Sequence, residues 1–326
     1  MPILERVAAT TETRDSAYRA LNAGAGLVDR SDLGKLALIG AQAAEMLNGQ
    51  VSNDVEALVP GTGCYAALLT NKGKMLGDLR VLNTGDELLL ITERAALQAL
   101  FDQLRRGAIG WDTELHKRTL QQGLLSVIGP HARAVTGADA AGLPADEHAN
   151  RSAELGGAPV VLAATDLGVD VICAAEDTAR VRDALLAAGA TAVDEAEAEL
   201  VRVESGRPRY GLDLDDTTIP QEAALNDRAV SFTKGCYVGQ ETVARLHWRG
   251  KPNRHLRGLR LSEPAETGAP LRLGDREVGR LGTVAVSPTH GPIALAIVRR
   301  EAGVGDTLAV GDGDGAISAL VVELPF

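Results

Sequence analysis

An α+β fold ending in an all-β part is what this sequence predicts, and three observations carry the prediction. From Leu124 onward the apolar runs and periodic segments follow the order strand, helix, strand, strand, helix, strand, the ferredoxin-like split βαβ pattern. Beyond His255 the chain breaks into short apolar runs punctuated by glycine, aspartate and proline, the texture of a small barrel or sandwich. No Gly-x-Gly-x-x-Gly follows a strand, which removes the dinucleotide fingerprint of a doubly wound sheet. At 326 residues the chain is long enough for two or three domains. The expected parts are 1–120 (α+β), 121–250 (ferredoxin-like) and 251–326 (all-β).

Each element has a local reason. Leu36–Gly40 reads as a buried strand and Ala41–Asn48 as a short helix, with Asn53-Asp54 a polar break and Pro60-Gly61 a turn. Cys64–Thr70 and Met75–Leu82 are joined by Asn71-Lys72-Gly73-Lys74, a hairpin signal, and Thr84-Gly85-Asp86 turns the chain into Glu87–Thr92. Thr92 is read as the N-cap of a helix in which Leu97, Leu100, Phe101 and Leu104 follow the i, i+3, i+4, i+7 rule, with Gly107 at its end. Leu124–Ile128, Pro159–Ala164 and Val169–Ala174 are strands. Pro130–Val135 and Asp177–Ala188 are helices, and Gly142–Gly157 is a polar, exposed stretch. Gly311–Gly315 alternates glycine and aspartate but lacks the spaced ligands of a calcium loop, so it reads as a hairpin turn.

Composition narrows the function. Apolar residues make up 45% and charged residues 24%, ordinary for a globular protein, and no apolar stretch reaches the length of a spanning helix. The first ten residues lack the apolar core of a signal peptide. Cys64, Cys173 and Cys236 are scattered and odd in number, so no disulfide framework is expected and the cytoplasm is the expected location. A net charge of −11 argues against a membrane surface and against nucleic acid as partners. One island opposes that field: Ala244–Arg260 holds Arg245, Arg249, Lys251, Arg254, Arg257 and Arg260. It reads first as a connector and second as a seat for a polyanion, which leaves transfer RNA open. The histidines show no zinc spacing, and no metal is assigned.

The chemistry concentrates in Phe232–Arg245. A helix starting near Tyr237 would place Cys236 at its positive end beside Lys234, and both effects favour thiolate. The same residues also fit a small buried thiol packed at a turn. Cys64 and Cys173 lie inside apolar runs and are read as inert.

Lys234–Glu241, K-G-C-Y-V-G-Q-E, resembles the K-G-C-[FY]-x-G-Q-E signature of the YgfZ family. Those are folate-binding proteins of iron–sulfur cluster maintenance, related to the aminomethyltransferases of glycine cleavage. Gly26–Ser31, Ser52–Val55, Pro60–Tyr65, Glu204–Gly211, Ile219–Ala223, Val304–Asp306 and Val321–Phe326 resemble further blocks of that superfamily. The resemblance implies an aminomethyltransferase-like fold: α+β parts in a ring, closed by a small C-terminal β-barrel, with tetrahydrofolate in a central channel. It implies Tyr65, Asp78, Arg202, Glu204 and Gln240 at the folate, and Cys236 with Lys234 as the reactive pair. Of the acidic pair that holds the reacting folate nitrogen in the transferases only the second member is matched, by Asp78; Gly77 replaces the first. Thr165–Asp170 stands where the transferases carry a Gly-Tyr-Thr-Gly-Glu-like turn ending in a folate-gripping carboxylate, with Asp166 and Asp170 as candidate substitutes. The implied function is a folate-dependent factor for assembly or repair of iron–sulfur proteins. Its partners would be the client or assembly proteins, and any transient cluster would be shared with them, because one thiolate is not the four a [4Fe–4S] cluster takes. The alternative is a folate-dependent one-carbon transferase, T-protein-like or acting in tRNA modification.

Overall fold

The computed structural model describes residues 16–311 and 317–326, so the turn expected at Gly311–Gly315 lies, from Asp312 on, outside the described residues. A helix, α1 (residues 16–23), leads into strand β1 (Gly26–Asp29). Then come β2 (Gly34–Ile39), helix α2 (Ala43–Asn48), β3 (Gly63–Leu69), β4 (Met75–Asn83), β5 (Leu88–Thr92), helix α3 (Arg94–Gly107) and β6 (Glu114–Lys117). Strands β2 to β6 form a five-stranded sheet in the order β3-β4-β5-β2-β6. One face packs on α2 and α3 through Leu36, Leu38, Met46, Leu47, Leu100 and Leu104. All five residues of β5 are buried, as expected for a strand covered on both faces. Thr92 is the last of them and does not cap α3: its hydroxyl donates to the Asp78 carbonyl at 2.5 Å, and Glu93 takes the N-cap position instead.

The second sheet contains the split βαβ. Its members are β7 (Gln122–Ile128), α4 (Ala132–Thr136), α5 (Ala138–Ala141), β8 (Asn150–Leu155), β9 (Ala158–Ala164), β10 (Gly168–Ala174), α6 (Thr178–Ala187) and β11 (Thr191–Ala192). The order is β11-β1-β7-β10-β9-β8, so two strands are added to the expected four. β1 is inserted between β11 and β7, and β8 lines the far edge. The polar, exposed stretch expected at 142–157 contains the edge strand β8, which the sequence reading did not assign. An edge strand with one face in water carries polar residues there, as Arg151, Ser152 and Glu154 do. The two sheets meet through Leu82, Leu89, Ile91, Leu124, Ala163 and Ile172.

Helices α7 (Glu195–Glu204), α8 (Asn226–Ala229) and α9 (Gln240–Arg249) lead into β12 (Arg254–Leu261), β13 (Pro270–Leu273), β14 (Arg276–Ser287), β15 (Gly291–Arg299), β16 (Thr307–Val310) and β17 (Ile317–Val322). These six strands close into a barrel, which settles barrel against sandwich. α7 bridges the parts: Ala198 and Val201 pack with Leu21, Val28 and Ile128, while Val203 packs on Leu256, Ile293 and Leu295 of the barrel. A register shift between Leu281 and Val284 frees the Thr283 amide to donate to Asp213 at 2.7 Å. Gly282 is required there, since a Cβ would come within 2.5 Å of the Asp213 carboxylate.

Candidate functional site

Strand register alone places three of the site residues together. Asp78 and Arg80 are two apart on β4 and share a face, and Tyr65 on β3 lies directly opposite Arg80. The Tyr65 hydroxyl donates to Asp78 Oδ2 at 2.6 Å. Burial raises the Asp78 pKa to about 6, against the opposing pull of that hydrogen bond, and burial beside Asp78 pushes the Tyr65 phenol well above its ordinary value. Gly77 points the opposite way: a Cβ there would meet the Ala96 methyl of α3 at 2.4 Å. A second carboxylate at 77 would therefore face α3 and not Asp78.

These residues line a cavity of about 170 Å³ whose other wall is α7 and the segment after it. Glu195, Glu199 and Arg202 are spaced i, i+4, i+7 and so present one helix face to the cavity. Arg209 joins three carboxylates, at 2.9 Å from Glu93 and 3.0 Å from both Glu195 and Glu199. Arg202 bonds Glu199 and Asp213 at 2.8 Å each, and Arg30 bonds Glu195 at 2.9 Å. Burial raises the Glu93 pKa, whereas the Arg202 and Arg209 guanidiniums hold that of Glu199 below its ordinary value. Glu93, Glu195, Glu199, Arg30 and Arg209 were not singled out in the sequence. The one signal available was the i, i+4, i+7 spacing inside an acidic run.

A second charged group lies beyond Arg80. Its guanidinium pairs with Asp170, which stands opposite Ser126 in register and accepts that hydroxyl at 2.6 Å. Asp166 accepts from Arg207 at 2.8 Å and lies 3.8 Å from Arg228, whose guanidinium covers the Tyr65 ring at 5.3 Å. Both candidate substitutes for the folate-gripping carboxylate are thus held by arginines of the same chain.

The remaining predicted residues fall elsewhere. Glu204 is two residues past Arg202 on α7, about 200° around the helix. It faces the barrel, accepting from Ser287 at 2.6 Å and Tyr18 at 3.1 Å. Gln240 opens α9 and is not among the residues lining the cavity. Cys236 is exposed and also lies off it. Two expectations about its surroundings are corrected. α9 begins at Gln240, after Gly239 in the left-handed region (φ 85°), so Cys236 is four residues ahead of the helix and not at its end. Lys234 turns its ammonium to the carbonyls of Asn48, Val51 and Asn53, at 2.5, 2.9 and 2.8 Å, because three fixed acceptors satisfy all three of its donors. Burial lowers the Lys234 pKa to about 8. The loop is further fixed by Tyr237, which packs with Ala67, Leu69 and Met75, and by Gly239, where a Cβ would meet the Thr70 carbonyl at 2.5 Å. Cys64 is half-buried and burial pushes its thiol up to about 12; Cys173 is buried and shifted the same way. Among the described residues no cluster of histidine, cysteine and carboxylates could hold a metal, and no helix is long and apolar enough to cross a membrane.

Comparison with known proteins follows the same outline. Residues 8–234 match the GCVT N-terminal domain and residues 254–326 the glycine cleavage T-protein C-terminal barrel domain. An aminomethyltransferase of Streptomyces coelicolor is 30% identical over 94% of this chain and 87% of its own. That of Streptomyces avermitilis is also 30% identical, over 95% and 88%. A chloroplastic protein of Arabidopsis thaliana, provisionally named a transferase, is 27% identical over 96% of this chain and 73% of its own. The crystal structure of aminomethyltransferase T from Bartonella henselae superposes with a TM-score of 0.84 at 24% identity, over 95% of this chain and 88% of that one, and supports the fold. The two matched domains lie one on each side of the Cys236 loop and α9, and together they establish that this chain belongs to the glycine cleavage T-protein (GCVT) family.

Proposed function

We propose that this chain is a folate-dependent factor for the assembly or repair of iron–sulfur proteins, in the YgfZ branch of the family, with tetrahydrofolate at Asp78 and a working thiol at Cys236. The observation that carries this reading is the placement of Cys236: an exposed thiol on a loop held by Lys234, Tyr237 and Gly239, outside the Asp78 cavity. A loop fixed at three points that leaves one thiol in solvent is suited to present that thiol to another protein.

The cavity residues fit tetrahydrofolate. Asp78 accepts from Tyr65 through Oδ2 and lines the cavity, so its carboxyl is placed where a ring N–H could donate to it. Tetrahydrofolate would supply a ring nitrogen able to carry a one-carbon unit. Asp78, near its titration point at neutral pH, would orient that nitrogen, with Tyr65 holding the carboxyl and Arg202 fixing the α7 wall. Lys234 acts as a positioning residue for the loop. Cys236 Sγ would be one ligand of a cluster whose other ligands come from the client.

Aminomethyl transfer is the second reading, favoured by the names of the two Streptomyces relatives. Against it stand the pairing of Asp166 and Asp170 with arginines and the orientation of Gly77, which leaves Asp78 without the first member of the transferases' acidic pair. Iron–sulfur enzyme activity in cells lacking this chain separates the two. Re-expression of Cys236→Ala should fail to restore it under the first reading, whereas restoration by that variant and failure by Asp78→Asn alone would favour transfer.

A further inference from the structure

The structure separates members of the basic island that are engaged internally from members that are not. Arg254 is spent internally, on Glu222 at 2.9 Å. Arg245, Arg249 and Lys251 are exposed and form no ion pair among the described residues. Arg245, Trp248 and Arg249 are spaced i, i+3, i+4 on α9 and so share one face, with Glu241 a turn earlier as its single anion. Trp248 is 70% exposed, which is unusual for so large an apolar ring in a monomer's surface. It is not loose. His247 meets it edge-on at 4.6 Å between ring centroids, and the other side of His247 stacks on Phe232 at 3.7 Å and 18°. Phe232 begins the loop that carries Cys236, so the aromatic stack ties that loop to α9.

We infer that this face of α9 binds single-stranded nucleic acid, Trp248 stacking on a base and Arg245, Arg249 and Lys251 contacting phosphates. A pre-positioned ring flanked by unpaired cations is the combination that single-strand binders use, and bases of any sequence offer it a π-face. Against an overall charge of −11, Arg245, Arg249 and Lys251 form a local positive patch that attracts a polyanion, and Trp248 sets this patch apart from other exposed arginines such as Arg105 and Arg106. An acidic protein would be drawn by the same charges but has less use for an exposed indole on the same face, held against His247. The inference does not depend on the folate reading, since none of these residues lines the Asp78 cavity.

Fluorescence anisotropy tests it on the full chain with three labelled probes: a 12-nucleotide oligo(U), the matching oligo(dT) and a 12-residue polyglutamate. Both oligonucleotides should bind with Kd of about 10–100 µM at 50 mM salt, and three phosphate contacts give a log–log salt slope of about −2, so that 200 mM salt weakens binding about 16-fold. Stronger binding of oligo(U) would identify RNA, and equal binding any single strand. Trp248→Ala should cost about fivefold or more and the pair Arg245→Glu, Arg249→Glu should abolish binding, with folding stability unchanged within about 0.5 kcal/mol because all three side chains face solvent. Absence of oligonucleotide binding, polyglutamate bound as tightly, or an affinity indifferent to Trp248→Ala would overturn the inference.

Discussion

The Asp78 cavity and the Cys236 loop are built on opposite principles. In the cavity almost every charge has an internal partner: Arg209 is shared by Glu93, Glu195 and Glu199, and Arg202 by Glu199 and Asp213. In the loop the backbone does the holding, through three carbonyls on Lys234 and a glycine in a left-handed turn, and the Cys236 thiol is left to solvent. The cavity is shaped to keep something in. The loop, on the proposed function, is shaped to present its thiol to another protein.

The largest expected effect divides the two regions completely. Cys236→Ala should reduce iron–sulfur enzyme activity in cells to the level of the deletion while leaving the isolated protein's stability within about 0.5 kcal/mol, since an exposed side chain is lost. Equal activity would remove the loop from the function. Next comes Arg209→Ala, which strips the shared cation from three carboxylates and should cost about 3 kcal/mol in urea unfolding at pH 7. A change under about 1 kcal/mol would mean the network is a surface one. Lys234→Met should cost about 2 kcal/mol by leaving the carbonyls of Asn48, Val51 and Asn53 without their donor, with tetrahydrofolate affinity unchanged within about twofold.

The smallest effect has a sign that tests the cavity directly. Burial raises the pKa of the Asp78 carboxyl to about 6 in the folded protein, against 3.8 for a free carboxyl. Between those values the folded protein binds more protons than the unfolded chain, so this group makes stability fall as pH rises from about 4 to 6, with the full cost present above 6. Asp78→Asn should remove that slope and raise stability at pH 7 by about 1–2 kcal/mol. A destabilised Asn variant would mean that the carboxylate is satisfied in the cavity by partners other than Tyr65.

What could be seen in the sequence followed interaction range. The hairpin β3–β4, helix α3 and strands β7, β9 and β10 rest on periodicity and turn residues within ten or so positions, and they were found where expected. β1 is four residues long and β8 is an exposed edge, so neither carries enough apolar pattern to stand out. Tyr65 and Asp78 were reached through resemblance. Their neighbours Arg80, Glu93 and Arg209 were not, because the contacts that define them join segments more than 80 residues apart, such as Arg80 with Asp170 and Arg209 with Glu93. Glu204 was misplaced for a helical reason: motif adjacency to Arg202 says nothing of which face each residue takes.

Calorimetric titration of tetrahydrofolate into wild type, Cys236→Ala and Asp78→Asn, in reducing buffer, tests the division of labour most directly. Micromolar binding to wild type and Cys236→Ala alike, with Asp78→Asn weaker by about tenfold, or about 1.4 kcal/mol, is the expected result. Absence of binding to wild type at millimolar tetrahydrofolate, or its loss in Cys236→Ala, would contradict a folate site at Asp78 that stands apart from the thiol.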